Sequence, residues 1–168
     1  MKIYPHLWFQ GQAEEAMAFY LSVFKDSTVL ERILLPDPEL SVVRFALAGL
    51  PVAALNANSW VPYNEAFSFL VETDDQTETD YYWNALTADG DKEQPCGRLT
   101  DKFGVYWQVT PRVLLRMLAD PDQEKANRVM QAMYKMKKIV IADLEHAYRG
   151  GRVPLHRKNY LQRRIWRT

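Results

Sequence analysis

Hydrophobic and polar residues alternate along KIYPHLWFQ, residues 2–10, then give way to a helical spacing. Ile3, Leu7 and Phe9 share one face of the first run, and Tyr4, His6, Trp8 and Gln10 share the other, so a strand is predicted. Gly11 breaks it. In AEEAMAFYLSVF the residues Ala16, Phe19, Tyr20, Val23 and Phe24 recur on one helix face, and Lys25-Asp26-Ser27 ends that helix. TVLERILL, LSVVRFALA and VAALNA then read as three strands joined as a meander. A loop holding Pro36 and Pro38 separates the first two, and a Gly49-Leu50-Pro51 turn the last two.

From Phe67 the order starts again. FSFLVE is strand-like, Thr73-Asp74-Asp75 makes a helix entry with Asp or Thr as cap, and TETDYYWNAL is helical with Tyr82, Ala85 and Leu86 spaced for burial. A shift of 62 places Phe9 on Val71, Tyr20 on Tyr82, Val23 on Ala85 and Phe24 on Leu86. The identities are few, but the repeated order predicts an internal duplication of a βαβββ unit. A short strand near Glu93 to Arg98 and the hairpin GRLTDKFGVYWQV complete the second unit.

After Thr110 the pattern becomes helical. Pro111 opens VLLRMLA. Asp120-Pro121 supplies a cap and first-turn proline for a helix through Met136, with Ala126, Val129, Met130, Met133 and Tyr134 as its apolar stripe. IVIADLEHAY follows and stops at Gly150-Gly151. These helices are expected to cover a sheet edge or to meet a second subunit.

Composition narrows the class. At 168 residues, 48% hydrophobic and 25% charged, the chain suits a globular domain with a real core. No apolar run approaches the ~20 residues of a membrane span, and the N-terminus shows no charged-then-apolar leader. The single cysteine, Cys96, excludes an intrachain disulfide and a multi-cysteine metal site; a cytoplasmic protein is expected. From Arg149 onward there are seven basic residues and no acidic ones, whereas the first 148 residues hold 14 basic against 21 acidic side chains. The acidic body argues against nucleic-acid binding, which depends on neutralising phosphates, so residues 151–168 read as a basic tail, solvated or docked on that body.

Two features suggest chemistry and have a plainer reading. Cys96 lies near Lys92 and Arg98, but an inert, partly buried thiol is the simpler assignment. Glu72, Asp74, Asp75, Glu78 and Asp80 lack the ligand spacing of a calcium loop and read as a solvated helix start favoured by the helix dipole. No G-x-G cluster, phosphate loop or GxSxG elbow is present among seven glycines, so nothing supports dinucleotide, nucleotide or S-adenosylmethionine binding.

PHLWFQGQAEEAMAFYLSVFKDS, ALNANSWVPYNEAFSFLVE, GRLTDKFGVYWQVTP and MKKIVIADLEHAYRG together resemble the PhnB-like family of the vicinal oxygen chelate superfamily, over roughly residues 3–150. The resemblance implies an α+β fold: paired βαβββ modules, about 2–60 and 66–110, whose mixed sheet curls around a cavity. The helices of 111–150 complete one glyoxalase-like domain, usually found as a homodimer. Enzymes of the superfamily hold one divalent metal, commonly through histidine and glutamate, and use it to polarise substrate oxygens.

Carried over by position, the early-strand ligand falls on His6 and the first module's last strand offers Asn56. The matching second-module position is Ser68, or Phe67 if the register slips by one. The final-strand ligand follows the Asp101-Lys102-Phe103-Gly104 turn by four residues and is Gln108. One good ligand, His6, one weak one, Gln108, and a vacancy fall short of the three a catalytic site wants. Gln108 shares its strand face with Tyr106 and Thr110, while Val105, Trp107 and Val109 face the other way. If His6, Trp8, Tyr106 and Gln108 share the concave side, the cavity is aromatic with a few polar handles, which suits a small ringed or carbonyl-bearing molecule. It can equally be filled by its own aromatics.

The resulting expectation is a small-molecule-binding protein with a degenerate metal site and no cofactor, dimeric, without nucleic-acid or membrane partners. Its ligand-binding set is His6, Trp8, Asn56, Ser68, Tyr106 and Gln108. The alternative is a divalent-metal-dependent lyase, transferase or dioxygenase using His6, Gln108 and a third ligand. A fold serving only as an interaction module is a further reading, and whether a reaction is catalysed stays open.

Overall fold

A computed structural model of the chain describes residues 1–37, 39–89 and 92–151. The basic tail lies outside the described residues, apart from Gly151. The chain divides into two compact units, Met1–Asn64 and Glu65–Thr168.

The first unit runs β1 (His6–Gln10), α1 (Ala13–Val23), β2 (Thr28–Leu34), β3 (Ser41–Leu47) and β4 (Leu50–Ala57). The strands form one sheet in the order β1-β4-β3-β2, with β1 parallel to β4 and the other pairs antiparallel. Helix α1 packs on β3 and β4. Leu7, Phe9, Val43, Phe45, Val52 and Ala54 are buried on that side, against Ala16, Met17, Tyr20 and Val23 of the helix. Burying these side chains, at roughly 1.5–3 kcal/mol for each large one, is the main stabilisation of the unit.

Two expectations shift. Strand β1 begins at His6 rather than at residue 2, and Ile3 is exposed. Pro5 has no N–H to give a ladder, although its carbonyl still accepts from the Ala53 amide at 3.0 Å. The β3–β4 turn falls on Ala48-Gly49, both at positive φ as a tight two-residue hairpin requires, and Leu50 and Pro51 already belong to β4.

The second unit repeats the plan with β5 (Phe69–Thr73), α2 (Gln76–Leu86), β6 (Lys92–Glu93), β7 (Arg98–Thr100) and β8 (Tyr106–Pro111), in the order β5-β8-β7-β6. The two units therefore share one topology, βαβββ, with the first strand parallel to the last; neither sheet closes on itself. The first strands of the two units, β1 and β5, keep the shift of 62, which puts buried Leu7 on buried Phe69. The helices are shifted by 63: Ala16, Tyr20 and Val23 correspond to the buried Thr79, Trp83 and Leu86. One extra residue between β5 and α2 rotates the helix, so Trp83 is the buried aromatic while Tyr82 and Ala85 are half-buried. The expected strand from Glu93 to Arg98 is instead mostly the connection between β6 and β7. Pro95 lacks a donor, and Cys96 (φ 65°) and Gly97 (φ 77°) turn left-handed, a path no strand follows.

Among the described residues three helices follow: α3 (Arg112–Leu118), α4 (Gln123–Met133) and α5 (Ile141–Tyr148). They share a core of Leu114, Val129, Ala132, Met136, Ile139, Leu144 and Ala147. The cap of α4 is Asp122, not Asp120; its Oδ1 accepts from the Glu124 and Lys125 amides at 3.1 and 3.2 Å. Helix α4 stops at Met133, after which three-residue hydrogen bonds tighten the chain through Met136. Helix α5 starts two residues later than expected because Gln76 clasps the approach: its Nε2 donates to the Ile139 carbonyl (3.1 Å) and its Oε1 accepts from the Ile141 amide (2.7 Å). The stop at Gly150-Gly151 is as expected. The Gly150 amide bonds the Ala147 carbonyl and the Gly151 amide bonds that of His146, with Gly150 at φ 92°.

Candidate functional site

Asp101 builds the β7–β8 hairpin. It is 4% exposed, its Oδ1 accepts from the amides of Phe103 (2.9 Å) and Val105 (3.0 Å), and its Oδ2 accepts from the Trp107 indole at 2.8 Å. Gly104 closes the turn at φ 84°, its amide bonding the Asp101 carbonyl at 2.9 Å. One carboxylate thus locks the turn and the core tryptophan together, which fixes the strand parity beyond it. With Trp107 and Val109 buried on the helix side, Tyr106 and Gln108 stand on the other face, half-buried.

On that open face Gln108 meets Ser68: the Nε2 amide donates to the serine Oγ at 2.9 Å, across 40 residues. The parallel pairing of β5 with β8 sets Leu70 beside Gln108, and Leu70 is 52% exposed. On the other flank Arg98 is the register partner of Gln108. Its Nη1 pairs with Glu65 at 3.2 Å and its Nε donates to the Pro95 carbonyl at 3.3 Å. The structure thus brings Ser68, Tyr106 and Gln108 onto one face of the second unit.

The first unit carries His6, Trp8 and Asn56, but not on one face. His6 is exposed and Trp8 half-buried on the side away from α1. Trp8 is pinned by its indole, which donates to the Ser59 carbonyl at 2.8 Å. Strand β1 is a sheet edge, and the Tyr63 hydroxyl occupies the edge at Trp8: it accepts from the Trp8 amide at 2.8 Å and donates to the Trp8 carbonyl at 2.7 Å. Asn56 is the register partner of Phe9 and lies on the helix side. Its Oδ1 accepts from the Ala13 amide at 3.2 Å, supplying α1 with the cap that Gln12 does not. The residue in the place of Gln108 is Leu55, beside Trp8 as Gln108 is beside Leu70.

The acidic side chains around the start of α2 are committed to caps and ion pairs. Asp75 caps α2 by accepting from the Glu78 amide (2.8 Å), and Glu78 accepts from the Asp74 amide (2.7 Å). Asp74 and Glu72 pair with Arg112. Asp80 pairs with Lys138 at 2.7 Å, and that hydrogen bond holds its carboxyl below the usual range. Burial pushes the Cys96 thiol up, and the nearby Arg98 charge offsets this only in part, the opposite of an activated nucleophile. Among the described residues no three His, Cys, Asp or Glu side chains come together as a group able to hold a metal ion. The described His, Cys, Asp and Glu side chains therefore do not assemble a three-ligand centre.

In the sequence Asp101 only marks the turn before Gln108, without a role of its own, and Tyr63 has none. Asp101 had a signal, an Asp-x-x-Gly turn with a tryptophan three residues after the glycine; Tyr63 had none, because its partner is 55 positions away.

Two βαβββ units of one topology, each with its helix on one sheet face, define the glyoxalase-like class of the vicinal oxygen chelate superfamily. The chain belongs to the PhnB-like family within it: the family model described as 3-demethylubiquinone-9 3-methyltransferase matches residues 1–110. A PhnB protein from Bacillus cereus is 28% identical, with 66% of this chain and 99% of that one covered at a TM-score of 0.53. Protein PA1353 from Pseudomonas aeruginosa is 22% identical over 66% and 97% of the two chains, TM-score 0.56. The fosfomycin resistance protein FosX from Listeria monocytogenes shares the fold at 14% identity over 66% and 91%, TM-score 0.52. No curated protein matches the chain. The family match ends where α3 begins, so the three C-terminal helices lie beyond it.

Proposed function

We propose that this chain binds a small organic molecule, aromatic or carbonyl-bearing, on the open faces of its sheets, and that it does so without a catalytic metal. The observation behind this reading is the Gln108–Ser68 pair. At the position where the family resemblance places a metal-binding carboxylate, a neutral amide already donates to a serine hydroxyl. Tyr106 and Leu70 supply apolar surface on the same face as these polar handles, the composition of small-molecule sites. The family description names a methyltransferase, but the chain has no glycine-rich loop of the kind that grips S-adenosylmethionine, so binding is the reading adopted. In this reading the protein is cytoplasmic and a homodimer; light scattering in solution tests the dimer, and cell fractionation the compartment.

The rival is a divalent-metal enzyme. FosX, a fold relative at 13% identity, has been crystallised with Mn(II) and 1S,2S-dihydroxypropylphosphonic acid. Metal analysis of untagged protein separates the two. One tightly held divalent ion per chain, lost in His6→Ala, would overturn the metal-free reading. Ligand binding is checked by thermal stabilisation, since a ligand specific for the native state at 100 times its Kd adds about 2.7 kcal/mol.

A further inference from the structure

The charges around Gln108 are arranged in a way that bears on what the second unit takes. We infer that this face selects an uncharged ligand, one presenting a hydroxyl or carbonyl next to a flat apolar group, and that it discriminates against carboxylates and phosphonates. The inference rests on the reading that the face binds a small molecule, and it names the class.

Gln108 and Ser68 are neutral and joined by a single 2.9 Å hydrogen bond. With Nε2 given to the serine, the pair presents the Gln108 carbonyl oxygen as acceptor and the serine hydroxyl hydrogen as donor. Rotating the amide by 180° exchanges the roles, and the hydroxyl turns to follow. The pair can thus meet a ligand hydroxyl or a ligand carbonyl, but it offers no net charge to either. The cation beside it is already matched: Arg98 pairs with Glu65 and also donates to the Pro95 carbonyl. An anion at Gln108 would have to displace Glu65 or lose its hydration without a counter-charge, both unfavourable. At the margins, Glu72 pairs with Arg112 at 3.5 Å, and Lys92 stands exposed on the outermost strand, two strands from Tyr106. Leu70, half exposed beside Gln108, is the apolar platform.

The test uses four probes that share one ring: benzyl alcohol, benzamide, benzoate and phenylphosphonate. Each is titrated into the intact, 15N-labelled chain while the Gln108 side-chain amide signals are followed. The neutral pair is expected to shift those signals at concentrations at least about tenfold below the anionic pair, the ratio for an unpaired polar group of about 1.4 kcal/mol. Ser68→Ala, which removes one hydroxyl without touching the core and keeps the Gln108 amide as reporter, is expected to erase the preference. Anions that bind as tightly as the neutral probes would overturn the inference and leave the binding reading standing. If none of the four perturbs the face, both fall.

Discussion

Replacing Asp101 by asparagine keeps the shape of the side chain and removes one acceptor from three donors. In the native hairpin Oδ1 serves the Phe103 and Val105 amides, and Oδ2 serves the Trp107 indole. Asparagine has one oxygen. If it faces the two backbone amides, its NH2 group meets the indole N–H, leaving a donor unsatisfied on a residue that is 1% exposed. That orphan costs about 1–3 kcal/mol, and the two surviving bonds lose their ionic character, at about 0.5–1 kcal/mol each. The expected destabilisation of the second unit is about 2–5 kcal/mol, a large fraction of a typical domain's 5–15 kcal/mol. Because the chain holds two compact units, one global transition is an unsafe readout. Amide hydrogen exchange resolves them: protection at Val105 and Val109 should fall about 30-fold or more, by the factor of ten per 1.4 kcal/mol, while β3 and β4 keep theirs. A loss under 0.5 kcal/mol, or one shared equally by both units, would refute the assignment of Asp101 as the hairpin's lock.

Further outcomes are expected elsewhere. Tyr63→Phe removes the hydroxyl that bonds both the amide and carbonyl of Trp8, and should cost the first unit about 1–3 kcal/mol, read as faster exchange along β1. Gly97→Ala should exceed Gly11→Ala in cost. Both glycines have positive φ, worth roughly 1–2 kcal/mol to a side chain, but an added Cβ at Gly97 would lie 2.7 Å from the Val109 carbonyl, whereas at Gly11 it meets nothing within 4 Å. Equal losses of hydrogen-exchange protection, each read in the unit that carries the substitution, would contradict this. Tyr148→Phe tests the contact of its hydroxyl with Asp120, which lowers the aspartate's pKa and raises the tyrosine's. The aspartate contribution is present above its unfolded pKa of about 4 and lost as pH falls through the lower folded value; the tyrosine contribution is present below about 10 and lost as pH rises through the higher one. The melting difference between native and variant chains should be flat from about pH 4 to 10 and shrink on both sides.

Local periodicity was enough for both βαβββ units, since whether a residue points into a sheet's helix side or a helix's buried stripe depends on neighbours two to four positions away. It also placed Gln108 behind its turn and opposite in parity to Trp107. Boundaries moved where backbone chemistry outranked pattern: Pro5 delayed β1, Asp122 took the cap from Asp120, and the Gln76 clasp held back α5.

Where a face depended on a partner strand, the sequence was silent. A single shift of 62 misassigned the α2 stripe because one inserted residue rotates a helix by about 100°. Asn56 was matched to the site, yet its pairing with Phe9 puts it on the helix side, and Leu55 holds the equivalent place; in a strand one residue decides the face. The residue types, the duplicated order and the turn before Gln108 are properties of the chain itself. That Gln108 donates to Ser68 beside a matched Arg98–Glu65 pair follows from β5 lying parallel to β8, and no local pattern encodes a contact across 40 residues.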